Sequence, residues 1–341
     1  MNCIDQIIAD DYTAINGDCV EALKGLPDHS IGYSIFSPPF ASLYTYSNSP
    51  RDMGNVRSDA EFFEHFDYLI AELARVMMPG RDVSFHCMLL PASKERDGYI
   101  GLKDFRGDLI RAFQGKEASE MHGAMLALRR RAVQAVEAGD FNRAERLNLL
   151  SNDMAKELQD NPCRHGFIHH SEAVIWKDPV TAMQRTKALG LLHKSVRENA
   201  AMCRQGIPDY LVTMRAPGES DRVKHGAEYP VDLWQKVASP VWMDINPSDT
   251  LQYRSAREHD DERHICPLQL DVIRRGVMLW SNPGDIVLSP FMGIGSEGFV
   301  ALEMGRKFVG VELKESYFRQ AVANLAAAKS AQSGLFELDA A

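Results

Sequence analysis

The segment from Gly284 to Glu312 limits the fold of this chain more than any other. Gly284-Asp285 reads as a turn, Ile286-Val287-Leu288-Ser289 as a strand, and Pro290-Phe291-Met292-Gly293-Ile294-Gly295-Ser296 as a glycine loop. Glu297 to Met304 then reads as a helix stopped by Gly305, and Phe308-Val309-Gly310-Val311 as a second apolar strand closing on Glu312. Glycines let the backbone approach a ligand closely. A carboxylate at the tip of the next strand can accept hydrogen bonds from ribose hydroxyls. The unit reads as a nucleoside-cofactor half-site, the alternative being a plain βαβ unit with a convenient glutamate. Gly293, Gly295 and Gly298 also fit the dinucleotide pattern G-x-G-x-x-G. A dinucleotide domain needs several further strands, yet only about one strand and one helix remain before the chain ends. The rest of the sheet must come from the amino-terminal residues.

A second motif lies there. Ile31-Gly32-Tyr33-Ser34-Ile35-Phe36 reads as a buried strand, and Ser37-Pro38-Pro39-Phe40 stops it, because two prolines can neither continue a ladder nor enter a helix interior. The product is a rigid loop at the carboxyl end of a strand, where open α/β sheets bind ligands. It offers a hydroxyl, carbonyl acceptors and an aromatic face, a set suited to a flat, amine-bearing ring such as a nucleobase. Taken alone, the tetrapeptide is equally consistent with a strand-ending turn.

Catalytic loop first and cofactor loop last is the order of one known group. The chain resembles the permuted, beta-group DNA amino-methyltransferases of the N4-cytosine/N6-adenine family, and within them phage or prophage-type enzymes. The resemblance is carried by Asn16-Gly17-Asp18-Cys19, Ser37-Pro38-Pro39-Phe40, Glu172-Ala173-Val174-Ile175-Trp176-Lys177, His264-Ile265-Cys266-Pro267-Leu268, Ser289-Pro290-Phe291-Met292-Gly293-Ile294-Gly295 and Gly305-Arg306-Lys307-Phe308-Val309-Gly310-Val311-Glu312. These pieces span nearly the whole chain. Two positions depart from the group: Ser289 stands where it usually has Asp, and Ser296 where it usually has Thr.

The resemblance implies an α/β, Rossmann-like S-adenosylmethionine-dependent methyltransferase fold with a helical insertion and a target-recognition region. It implies catalysis by Ser37, Pro38, Pro39 and Phe40: the Ser37 hydroxyl and the Pro38 carbonyl accept from the target amine, and Phe40 stacks on an extruded base. For the cofactor it implies Asp18 and Cys19, His264 and Pro267, Ser289, Phe291, Gly293, Gly295 and Ser296, with Glu312 on the ribose. Asp18 also reads as a helix N-cap, and His264 as a core histidine. Serine before Pro-Pro goes mostly with N4-cytosine enzymes in this group, and Asp or Asn mostly with N6-adenine enzymes, so N4 of cytosine is favoured and N6 of adenine is the alternative.

The chain has 341 residues and a formal charge of −9. That is enough for one large domain with insertions. An acidic balance disfavours a purely electrostatic DNA binder. Between Arg164 and Lys224, however, ten Lys and Arg face six Asp and Glu. Arg185, Lys187, Lys194 and Arg197 in this stretch are candidate phosphate contacts. The six cysteines lack metal-ligand spacing and read as reduced thiols, so zinc is not expected. No signal peptide or long apolar segment is apparent, which suggests a cytoplasmic protein without a membrane partner. DNA is the expected partner, a restriction endonuclease a further one, and the protein a monomer or homodimer.

The organisation expected is a catalytic half over 1–113, a helical hairpin over 114–163 and a sheet strand within 164–177. A target-recognition region over 178–261 contains one more strand near 210–214. The cofactor half covers 262–330, and 331–341 is a tail. Asp59 to Met77 should be a helix ended by Pro79-Gly80, and 215–262 reads as loop. Two other classes stay open. The literal glycine match fits a nicotinamide-dependent oxidoreductase; Ser289 and the acidic balance fit a catalytically silent DNA-binding relative.

Overall fold

The computed structural model describes residues 3–40, 52–56, 58–92, 94–160, 166–178, 197, 206–219, 223–224, 230–252 and 267–339. Its strands are β1 (Asp5–Ile8), β2 (Tyr12–Asn16), β3 (Ile31–Phe36), β4 (Met77–Met88), β5 (Leu90–Ala92), β6 (Gly101–Lys103), β7 (Ile168–Ile175), β8 (Asp209–Arg215), β9 (Val241–Trp242), β10 (Ile286–Ser289) and β11 (Lys307–Glu312). Nine of them form one sheet in the order β1-β2-β11-β10-β3-β4-β8-β7-β9. The run from β2 to β4 is parallel. β8 is antiparallel to β4 and to β7, which restores the common direction in β7. The glycine-loop strands are thus flanked by amino-terminal ones, β11 lying against β2 and β10 against β3.

Alternation along the central strands divides the core in two. Phe36, Leu288 and Val311 pack on one face with Phe62, Phe66, Leu69 and Leu73 of α2 (Asp59–Val76) and with Leu109 and Phe113 of α4 (Phe105–Gln114). Tyr33, Ile35, Val287 and Phe308 point the other way. They meet Val272, Ile273 and Val277 of α8 (Leu270–Trp280), Val300 of α9 (Ser296–Glu303), and Phe318 and Leu325 of α10 (Glu315–Asp339). Both faces of the sheet are covered, which explains why these strands read as continuous apolar runs. The remaining helices are α1 (Cys19–Leu23), α3 (Lys94–Asp97), α5 (Lys116–Glu137), α6 (Phe141–Asp160) and α7 (Val231–Ala238). No helix among the described residues is long and apolar enough to cross a membrane.

The hairpin of α5 and α6 turns at Gly139-Asp140, with Gly139 at φ +78° and the Asp140 carboxylate accepting from the Arg143 amide. Two local readings need correction. Pro79-Gly80 does not end α2. The helix stops at Val76 and the chain enters β4 directly, where the β3–β4 register jumps from Ile31↔Met77 to Tyr33↔Asp82. The proline and glycine occupy that irregularity, a position where a sheet tolerates them. The stretch read as loop over 215–262 contains α7 and β9. Pro230 supplies the N-cap of α7 rather than breaking a helix.

Candidate active site

The sheet reverses its winding between β10 and β3. From β10 the chain proceeds to β11 on one side, and from β3 to β4 on the other. This is the topological switch point, the crevice where open α/β sheets bind ligands. Val287 pairs with Tyr33 and Leu288 with Ser34 in parallel register, so the glycine loop and the Ser37 loop leave the sheet side by side. Adjacent strands lie about 4.8 Å apart. The Phe36 and Phe291 rings are in contact at the base of the two loops, with centroids 5.7 Å apart.

On the β10 side, Gly293 (φ +52°) and Gly295 (φ +86°) take backbone conformations that L side chains rarely adopt. Gly298 is needed for space instead: a Cβ there would lie 2.5 Å from Leu325 and Phe308. The carboxylate of Glu312 spans the loop, with Oε2 accepting from the Gly293 amide at 3.0 Å and Oε1 from the Lys314 amide at 2.8 Å. A carboxylate has about four acceptor positions, so roughly two remain for a ligand's hydroxyls. Burial pushes Glu312 up to about 7, against the pull of these amides. Asn16 donates to the Glu312 and Leu313 carbonyls at 2.8 and 3.1 Å, which ties the β2 loop to the same edge.

Asp18 caps α1, accepting from the Glu21 amide at 3.0 Å. Cys19 is buried behind it, and burial raises its thiol far above the ordinary range, so it acts as packing rather than as a thiolate. Ser289 Oγ and Ser296 Oγ are buried without a hydrogen-bond partner among the described residues. Buried hydroxyls without partners are uncommon and fit a site that a polar ligand completes. Pro267 is half-buried just before α8, whereas His264 lies outside the described residues.

Glu297, which sequence reasoning passed over as a first-turn helical acid, is buried, and burial with the Glu312 charge nearby pushes it up to about 8. A carboxyl raised from its ordinary 4.5 favours the fold while neutral, and that advantage is lost as pH rises through the raised value. Glu297→Gln should therefore match wild type below about pH 4.5 and be more stable by a few kcal/mol near pH 9. Thermal unfolding across pH checks this; parallel pH curves for the two proteins would contradict it.

On the β3 side, Pro38 is buried, Ser37 and Pro39 are half-buried, and the Phe40 ring meets Phe105 edge-on at 6.2 Å. Ser37 Oγ lies 3.2 Å from Nδ1 of His86 on β4. The other ring nitrogen, Nε2, lies 2.9 Å from Oδ2 of Asp209, the first residue of β8. The Lys177 ammonium, just beyond β7, contacts the same oxygen. Burial works against charge on Asp209, but His86 and Lys177 outweigh it and hold the carboxyl below its usual range. No sequence motif marked His86 or Asp209. Of the four candidate DNA contacts, only Arg197 is among the described residues, at an exposed helical position; Arg185, Lys187 and Lys194 lie outside them.

The carboxyl-terminal part of this arrangement has a known counterpart. Residues 169–323 match the family of N6/N4 DNA methylases. The matched span runs from β7 into α10 and includes the glycine loop and Glu312, while Ser37 lies before it. The type II methyltransferase M1.MboII of Moraxella bovis is 34% identical over 121 residues, covering 32% of this chain and 45% of that protein. The DNA adenine methyltransferase YhdJ of Escherichia coli K12 is 27% identical over 169 residues, covering 49% and 55%. The chain thus spans about half the length of these relatives. Among solved structures, TTHA0409 of Thermus thermophilus, a presumed DNA modification methylase in complex with S-adenosyl-L-methionine, superposes with TM-score 0.54 at 19% identity, covering 92% of this chain and 94% of that one. The cytosine-N4-specific PvuII DNA methyltransferase superposes with TM-score 0.54 at 14% identity, covering 95% and 90%. The fold is the Rossmann-like fold of these DNA methyltransferases. These matches make the carboxyl-terminal half of the chain similar to DNA methylases of the N6/N4 type.

Proposed function

We propose that this chain is a DNA methyltransferase of the permuted beta group that transfers a methyl from S-adenosylmethionine to an exocyclic base amine, N4 of cytosine in preference to N6 of adenine. The observation that carries the reading is the pairing of β10 with β3, which sets the glycine loop and the Ser37 loop on one sheet edge. Glu312 would hold the ribose, and the partnerless Ser289 and Ser296 hydroxyls would meet polar groups of the same cofactor. Asp18, whose Oδ1 takes the capping bond, would accept from the adenine amine through its other oxygen. Bound there, S-adenosylmethionine supplies a methyl already activated by its sulfonium.

The protein's own task is to aim the amine. The lone pair of an aromatic amine is delocalised into its ring, so the nitrogen is a weak nucleophile. Ser37 Oγ and the Pro38 carbonyl, accepting one N–H each, favour a pyramidal nitrogen and direct its lone pair toward the methyl at near-attack distance. The base must leave the duplex stack to reach them, and Phe40, fixed against Phe105, offers a stacking face. The cytosine arm rests on Ser37 before Pro-Pro, which in the resembled group goes mostly with N4-cytosine enzymes. The adenine reading is supported by YhdJ, a relative named for adenine.

DNA is the partner this requires, with Arg185, Lys187, Lys194 and Arg197 as phosphate contacts. A cytoplasmic enzyme, monomeric or dimeric and coupled to a restriction endonuclease, fits the same reading. Sequencing that detects N4-methylcytosine and N6-methyladenine, applied to DNA from cells with and without this protein, should find N4-methylcytosine at one recurring sequence. No protein-dependent methylation would reject the proposal, and N6-methyladenine would reject its cytosine arm.

A further inference from the structure

We propose that His86 and Asp209 form a proton relay behind Ser37 that removes the proton released when the target amine is methylated. The relay rests on the methyl-transfer reading above, whereas its geometry stands independently. Asp209 is 2% exposed, and its Oδ2 faces both His86 Nε2 and the Lys177 ammonium. An ionised carboxylate can only accept hydrogen bonds, so Nε2 carries the imidazole proton and Nδ1 presents a lone pair to Ser37. The Ser37 hydroxyl hydrogen then points at Nδ1, across the 3.2 Å contact. The remaining Oγ lone pairs are left for the N–H of a target amine. One set of contacts thus fixes Ser37 as an acceptor before transfer and supplies a proton sink after it.

The N–C bond forms at the base amine as the S–C bond of the sulfonium breaks, and that electron pair stays on sulfur, leaving a neutral thioether. The methylated nitrogen, now cationic, gives one N–H proton to Ser37 Oγ as the Ser37 hydroxyl proton passes to His86 Nδ1. The base ends neutral and the imidazolium sits against Asp209, to lose its proton to water after the product departs. Asp209 orients the ring and stabilises its charge without taking the proton, because Lys177 already shares its oxygen.

The competing view is that His86 merely ties β4 to β8. His86→Asn separates the two, since its amide oxygen can still accept from Ser37 but cannot store a proton. Single-turnover methyl transfer to DNA should fall at least about tenfold, with S-adenosylmethionine affinity within about twofold of wild type. A second readout needs no cofactor: nitrogen-15 spectra of histidine-labelled protein should show His86 as the Nε2–H tautomer, a preference lost in Asp209→Asn. A variant as fast as wild type, or an Nδ1–H tautomer, would overturn the relay alone. Wild-type protein that transfers no methyl to any DNA would overturn the methyltransferase reading and the relay with it.

Discussion

Ser37→Ala is expected to slow single-turnover methyl transfer by about 10- to 100-fold while S-adenosylmethionine affinity stays within about twofold. The substitution removes one of two acceptors that shape the amine, an interaction of roughly 1.5–3 kcal/mol when it strengthens toward the transition state. It also removes the atom through which His86 would receive the proton. The loss should fall on the chemical step because Ser37 leaves the β3 edge while Glu312 and the partnerless serines lie on the β10–β11 side. The fold should persist, since the half-buried hydroxyl meets the ring of His86 rather than a backbone group of the sheet. Rapid-quench transfer to DNA, with cofactor binding measured separately, checks both halves. A fully active alanine variant would remove Ser37 from the mechanism.

Glu312→Ala should have the opposite signature, weakening cofactor binding about 30- to 100-fold. Its carboxylate now satisfies the Gly293 and Lys314 amides, so truncation leaves two backbone donors and the ribose hydroxyls without their acceptor. The pH dependence is a sharper test. Burial holds Glu312 near 7, and ribose hydroxyls donate best to the ionised form. Wild-type affinity should strengthen as pH rises through about 7, with proton release on binding. Glu312→Gln should be both weaker and flat. Calorimetry in buffers of different ionisation enthalpy measures the proton count; unchanged affinity in the alanine variant would reject the ribose assignment.

The sheet is legible in the sequence to an unusual degree because its central strands are buried on both faces and bounded by glycine or proline. β3, β10 and β11 can be read nearly to the residue. Their adjacency is given by the pairing of β10 with β3 and with β11 rather than by any local signal. The catalytic backing is not legible. His86 sits in Val83-Ser84-Phe85-His86-Cys87, an alternation that any half-buried strand displays. Its partner Asp209 is 123 residues away, brought close only by the β4–β8 pairing. Glu297 is hidden for another reason: an acid in the first turn of a helix is ordinarily a solvated favourite of the helix dipole, and here the turn is buried. Pro79-Gly80 misleads because the same pair that stops a helix also suits a strand irregularity, and local sequence does not distinguish them.

The most direct test of whether the β3 and β10 loops form one methyl-transfer site is chemical. Purified protein, S-adenosylmethionine labelled in its methyl group and DNA of mixed sequence are incubated together, and the DNA is digested to nucleosides for mass spectrometry. Labelled N4-methylcytidine in its deoxy form, abolished or strongly reduced by Ser37→Ala, is the predicted result. Unlabelled nucleosides throughout, from protein that binds the cofactor, would contradict it.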